Sequence, residues 1–396
     1  MLRAFSLIIS NRLIGTSSLV LFVYGFTLAS TLPFQSIIGI SELGLSNQAF
    51  ALFLVFVAIA NVVSAVTLGI ISDSLQRRKL LLIGLSAAGF VGYGLIYVLH
   101  NAAALIFCTL TFIPLALSTY SLLFANVRRE SAKLDPVSAG SVTSIVRSIY
   151  ALSWVLIPGG VAWWLTSSKT MLPVYLVAAL ASLTCVLIYA TLAPDDKIEA
   201  ASAKLGFFAA LRQLLTVPIL IRLTLMALIL GALRLNATAM PLIVTNLHDG
   251  SVRDVGFIAG LVPVFEVPFM LMWGWLATRI SLEKSLMAGA VVFAIYLLAL
   301  SQVTAIWQVY ALSILNGCGA AALLSLPIAY FQNLIADRPG LSTALAPVNS
   351  FIANGLSAAV FAIGTSFTNY AGTIEIAGGL CFSGVALLYF FDRKLT

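Results

Sequence analysis

Long apolar runs, each near the length needed to cross a hydrocarbon layer, alternate with short polar breaks along the chain. At roughly 20 residues per crossing, the pattern predicts twelve helical spans. They fall at about 13–38, 48–71, 80–99, 102–124, 137–166 and 171–192, then at about 218–246, 255–277, 285–303, 306–330, 343–367 and 371–391. The first run exceeds the 7–15 apolar residues of a signal sequence and is expected to remain as a span. Between runs six and seven the chain turns polar at Pro194, Asp195 and Asp196. Phe207, Phe208, Leu211, Leu214 and Leu215 then share one helical face, with Lys204, Arg212 and Gln213 available to the other. That predicts a short helix lying on a membrane surface. The expected organisation is a first six-helix bundle over 1–192, a linker with an interfacial helix over 193–217, and a second six-helix bundle over 218–396. The fold class is an all-α membrane protein.

Composition narrows the picture. The chain is 61% hydrophobic and 9% charged, with a mean hydropathy of +1.07. Soluble domains carry roughly 25% charged residues, so this surface is suited to lipid. The net charge of +7 does not point to nucleic acid, because the basic residues sit in loops between apolar runs. With the N-terminus inside, all but four of the 21 Lys and Arg fall on the cytoplasmic side. The four are Lys169 and Arg253 in outer loops, and Arg147 and Arg234 within spans. The bias predicts cytoplasmic termini and an inner-membrane location. Cys108, Cys185, Cys318 and Cys381 are scattered through apolar runs, without metal-ligand or disulfide spacing, and read as small packing residues.

A repeat divides the chain. The loop Gly69-Ile70-Ile71-Ser72-Asp73-Ser74-Leu75-Gln76-Arg77-Arg78-Lys79 has a weaker copy about 205 positions later, Gly274-Trp275-Leu276-Ala277-Thr278-Arg279-Ile280-Ser281-Leu282-Glu283-Lys284. Pro33 late in span one answers Pro241 late in span seven, which predicts matched helix bends. Ser144–Ser148 in span five aligns with Ser350–Asn354 in span eleven. Two related halves suggest a transporter whose halves move against each other around a mid-membrane site.

The first loop resembles the signature loop of the major facilitator superfamily, through Gly69, Asp73, Arg77 and Arg78. Ser74 and Gln76 depart from it, and the second copy has Thr278 in place of the acid. The resemblance implies the two-bundle major facilitator fold and a gating role for Gly69, Asp73, Arg77 and Arg78. Ser144-Ile145-Val146-Arg147 with Leu152-Ser153-Trp154-Val155 resembles span five of bacterial sugar efflux transporters. Met240-Pro241-Leu242, Gly256-Phe257, Phe265-Glu266-Val267-Pro268 and Tyr330-Phe331-Gln332 are similar to that subfamily too. Phe351 replaces the basic residue expected near Ser350. Ile157-Pro158-Gly159-Gly160 loosely resembles the Gly-Pro-rich element of antiporters in the superfamily, without its leading glycine.

Ionisable residues inside a span need a partner or water, so Arg147, Arg234 and Glu266 carry the candidate chemistry. Carboxyl groups in dry surroundings hold a proton at pH values where exposed ones do not. Glu266 is therefore the expected proton carrier, tuned by Arg234; a fixed ion pair between the two is the structural alternative. Glu375 is a weaker candidate. His100 and His248 fall at outer loops. Arg147 offers a fork of donors to substrate. Trp154, Asn236, Gln35, Asn349 and Asn354 are the residue types that hold sugars, amides to hydroxyls and a ring to the pyranose face. Trp163, Trp164, Trp273 and Trp275 read as interface anchors. Nothing in the chain suggests a Walker sequence, a nucleophile–base pair or a resident cofactor. The leading expectation is a monomeric secondary transporter that exports sugars or related small polar solutes by proton antiport through alternating access. A multidrug or amphiphile antiporter, or a non-transporting receptor on the same fold, are the alternatives.

Overall fold

Asn11 opens the first span. Its side-chain oxygen accepts from the backbone N–H groups of Leu13 (3.1 Å) and Ile14 (3.0 Å), donors that the helix itself leaves unpaired. Asn101 does the same for Ala104 (2.8 Å), and Asp135 for Ser138 (3.0 Å), with Pro136 as the first helical residue. Ser251 and Asp254 form a capping box. These polar residues sit where the apolar runs begin, so caps and hydropathy mark the same boundaries.

The computed structural model describes residues 7–74, 78–194, 216–334 and 339–393. Among them are twelve helices long and apolar enough to cross a membrane. They are α1 (Arg12–Thr31, its span prolonged to Glu42), α2 (Asn47–Ser74), α3 (Arg78–Leu99), α4 (Ala102–Ser131), α5 (Pro136–Leu165) and α6 (Pro173–Leu192), then α7 (Val217–Asn246), α8 (Val252–Arg279), α9 (Leu282–Leu300), α10 (Ile306–Leu334), α11 (Pro339–Phe367) and α12 (Tyr370–Arg393). The surface helix expected before α7 and Arg77 lie outside the described residues.

The chain divides into two compact units, Met1–Gly44 with Ile59–Ala203, and Leu45–Ala58 with Lys204–Thr396. The first turns of α2 thus group with the second unit. There Tyr370 Oη donates to Asn47 Oδ1 (3.0 Å), Gln48 Nε2 donates to Ser366 Oγ (3.1 Å), and Phe50 lies edge-on to Phe361 (6.3 Å).

Helix pairing repeats from one unit to the other. In the first, α1 packs on α4, α5 and α6, and α3 packs on α4 and α6; in the second, α7 packs on α10, α11 and α12, and α9 packs on α10 and α12. A close glycine approach repeats as well. A Cβ at Gly25 in α1 would meet Ser153 of α5, with Ser153 Cβ at 2.7 Å. A Cβ at Gly231 in α7 would lie 3.2 Å from Ala353 O and 3.8 Å from Ser357 N in α11. Gly25 and Gly231, and Ser153 and Ser357, are separated by nearly the same interval as the two loops. Small residues let these backbones approach where lipid supplies no hydrophobic drive for helix association.

The prolines do not behave alike. At Pro33 the helix tightens into a 3₁₀ turn (Leu32–Phe34) and then widens into a π turn (Ile38–Glu42). At Pro241 α7 continues unbroken to Asn246. The expected pair of matched bends is therefore not a pair of matched breaks. A membrane helix tolerates proline when neighbouring groups compensate for the lost hydrogen bond.

Cations cap one helix end in the first unit. Arg12 Nε donates to Leu192 O (2.9 Å) and Lys79 Nζ to Ala193 O (2.8 Å), at the negative end of α6. Arg78 opens α3 half-buried. Gly69 and Asp73 lie in the last turns of α2, and their side chains are outside the described ones.

Candidate functional site

In the first unit Ser144, Arg147 and Ser148 share an exposed face of α5. Arg147 stands about 16 Å along the axis from Pro136 at 1.5 Å per residue, well inside the span. The serine hydroxyls bond back to Gly140 O (2.9 Å) and Ser144 O (3.0 Å), but the guanidinium has no such outlet. A charge facing lipid at mid-span costs about 2.5–3.5 kcal/mol on insertion scales, so this face suits water or solute, not hydrocarbon.

A chain of aromatic rings runs from it. Arg147 Cζ lies 6.0 Å from the Phe124 ring centre. Tyr120 is 4.8 Å from Phe124, 5.0 Å from Tyr150 and 6.4 Å from Tyr24, centre to centre. Tyr120 is 36% exposed. Trp154, half-buried, is one turn beyond Tyr150 on α5. Sequence reasoning picked out Arg147 and Trp154 but missed Tyr24, Tyr120, Phe124 and Tyr150. The signal was present as aromatics four apart on α4, but nothing in one sequence says that α1, α4 and α5 present them together.

In the second unit Glu266 sits at about the midpoint of α8, half-buried. Gly317 of α10 lies beneath it. A Cβ there would be 2.6 Å from Phe265 Cβ, 3.1 Å from Val262 O and 3.3 Å from Glu266 N. Close contact with α10 thus fixes the height of the carboxylate. Arg234 on α7 is exposed, near the middle of its span. The ion pairs among the described residues are those of Glu130 with Arg129 and Lys133. No Glu266–Arg234 pair is among them, so the fixed-pair alternative has no support in this state.

The amides divide. Asn236 is buried and accepts from Tyr296 Oη (3.1 Å), which accepts in turn from Asn316 Nδ2 (3.2 Å). This chain ties α7, α9 and α10 together. Asn349 is fully buried and donates to Leu223 O (2.6 Å), tying α11 to α7. Gln35 and Asn354 are half-buried. Interhelical hydrogen bonds in membranes average about 0.6 kcal/mol and reach about 1.7. We expect Asn236→Leu to lower the melting temperature of the purified protein while leaving substrate KM unchanged. A raised KM at unchanged melting would instead make Asn236 a substrate contact.

Trp163, Trp164 and Trp275 are exposed, 69%, 45% and 59%, as anchors should be. Trp273 is not an anchor: it is 4% exposed, and its Nε1 donates to Cys318 O (2.8 Å). Two residues before exposed Trp275, its ring is turned into the α8–α10 contact. Glu375 is exposed near the start of α12.

Comparison with known proteins sets this geometry in context. Residues 225–396 match the Major Facilitator Superfamily. The nucleoside transporter NupG superposes with a TM-score of 0.80 at 14% identity, over 97% of this chain and 99% of that one. The chain thus shares that fold over nearly its whole length and matches the major facilitator superfamily over its second half. It is a multi-pass membrane transporter. A peptide transporter, POT, also shares the fold, with a TM-score of 0.76 at 12% identity over 96% of this chain and 94% of that one. Sequence similarity runs to proteins of another kind. A Deinococcus radiodurans protein provisionally described as a sugar efflux transporter is 22% identical over 369 residues, 91% of this chain and 93% of that one. Sugar efflux transporter A of Dickeya chrysanthemi is 26% identical over 325 residues, 82% of this chain and 81% of that one.

Proposed function

We propose that this transporter exports sugars or related small polar solutes in exchange for protons, by alternating access. In this reading it acts as a monomer in the inner membrane, with both termini cytoplasmic. The observation that carries the reading is similarity to sugar efflux transporters along nearly the whole chain. Arg147, Trp154 and the tyrosines beside them supply donors and rings suited to a pyranose. Glu266 takes the proton, because a half-buried carboxylate without a partner among the described residues is free to exchange one. Arg234 lowers the affinity of Glu266 for that proton whenever the two approach.

The aromatic rings of α1, α4 and α5 favour a second reading, an amphiphile exporter. One assay separates the two. Purified protein is reconstituted into vesicles holding a pH gradient, and a pH-sensitive dye reports its collapse. Sugars at millimolar concentration are expected to dissipate the gradient only in protein-containing vesicles, and apolar cations are not. Collapse with the cations alone, or with neither, overturns the proposal.

A further inference from the structure

The guanidinium of Arg147 is the cue. It is exposed, deep within a span, on the same face as Ser144 and Ser148. Among the described residues no carboxylate lies within ion-pair distance of it; its recorded partner is the Phe124 ring at 6.0 Å. Phe124 packs in turn on Tyr120, and Tyr120 on Tyr150, while Trp154 lies two turns along α5 from Arg147; all are uncharged. Among the described residues of this unit, then, no carboxylate balances the charge of Arg147.

From this we infer that the preferred solute carries a carboxylate as well as a sugar ring: a sugar acid seated with its acidic group on Arg147 and its ring against Tyr120 and Trp154. The inference rests on the sugar reading above and narrows it. A sugar hydroxyl would accept hydrogen bonds from Arg147 but leave the charge in place. A carboxylate matches the guanidinium fork with two parallel hydrogen bonds and also cancels its charge. A single guanidinium is balanced by a monoanion, whereas a phosphate dianion would leave a negative charge over. The cation–ring contact with Phe124 does not compete, because it uses the face of the guanidinium and leaves the N–H edges free.

The test compares D-glucuronate with D-glucose, which differ at one carbon, a carboxylate against a hydroxymethyl group. Wild-type protein is reconstituted into vesicles, and exchange of labelled against unlabelled solute is measured with no pH gradient, so that proton coupling does not enter. Glucuronate is expected to half-saturate exchange at a concentration lower than glucose by roughly tenfold or more, the range for hydrogen bonds to a charged group. Arg147→Gln should erase that preference, and Arg147→Lys should restore part of it. Should Arg147→Gln fail to fold, the wild-type comparison still decides. Exchange of glucose as well as or better than glucuronate overturns this inference and leaves the sugar reading standing. Exchange of neither overturns both.

Discussion

Glu266→Gln is expected to abolish pH-driven solute movement, to the level of vesicles without protein, while solute exchange in the absence of a gradient continues. Glutamine keeps the size and hydrogen-bonding capacity of the side chain but cannot bind and release a proton. Exchange needs only the loaded carrier to cross, whereas net coupled transport needs Glu266 to change protonation in each cycle. The two assays together separate a coupling residue from a packing residue, since a misfolded protein fails both. Gly317→Val should give an intermediate result, because it forces α8 away from α10 directly beneath Glu266. Normal gradient-driven transport by Glu266→Gln would remove Glu266 from the mechanism.

The second large effect is structural. Gly25→Val is expected to destabilise the first unit by at least the upper end of the range of about 1–3 kcal/mol for overpacking. The clash is with Ser153 on the facing helix, and Ser153 is fully buried, so neither side chain has room to move aside. The variant should melt at lower temperature in detergent and aggregate on gel filtration. Gly25→Ala should be milder, and Ser153→Ala in that background should recover part of the loss by removing the hydroxyl. Gly84→Ala is the control, because nothing lies within 4 Å of a Cβ there. Equal stability of the Gly25 and Gly84 variants would mean that α1 and α5 do not approach as described.

Most of the fold was readable from hydropathy. A span needs a long apolar run, and lipid leaves few other conformations open, so the twelve runs became twelve helices. The repeat was visible in the two loops, and the structure extends it to Gly25 with Ser153 and Gly231 with Ser357. What could not be read was which way each side chain turns. Asn236 and Asn349 look like solute ligands in a linear sequence, yet both are buried in helix contacts. Trp273 and Trp275 are two residues apart, and one is buried while the other is exposed. Pro33 and Pro241 occupy matching places, and only the first interrupts its helix. Hydropathy averages over a turn, whereas such outcomes depend on which helix face meets which neighbour. The candidate site was accordingly legible at its charges, Arg147, Arg234 and Glu266, because intramembrane charge is conspicuous anywhere. It was not legible at Tyr24, Tyr120 and Tyr150, which look like ordinary apolar content.

The pairing of Arg12 with Leu192 O and Lys79 with Ala193 O bears on how topology should be mapped. Both cations count towards the orientation signal, and both also hold the last turn of α6. Neutralising either one in a reporter-fusion experiment would perturb insertion and bundle stability at once. Arg128 and Lys284, whose side chains are exposed, are the better positions at which to alter the charge bias alone.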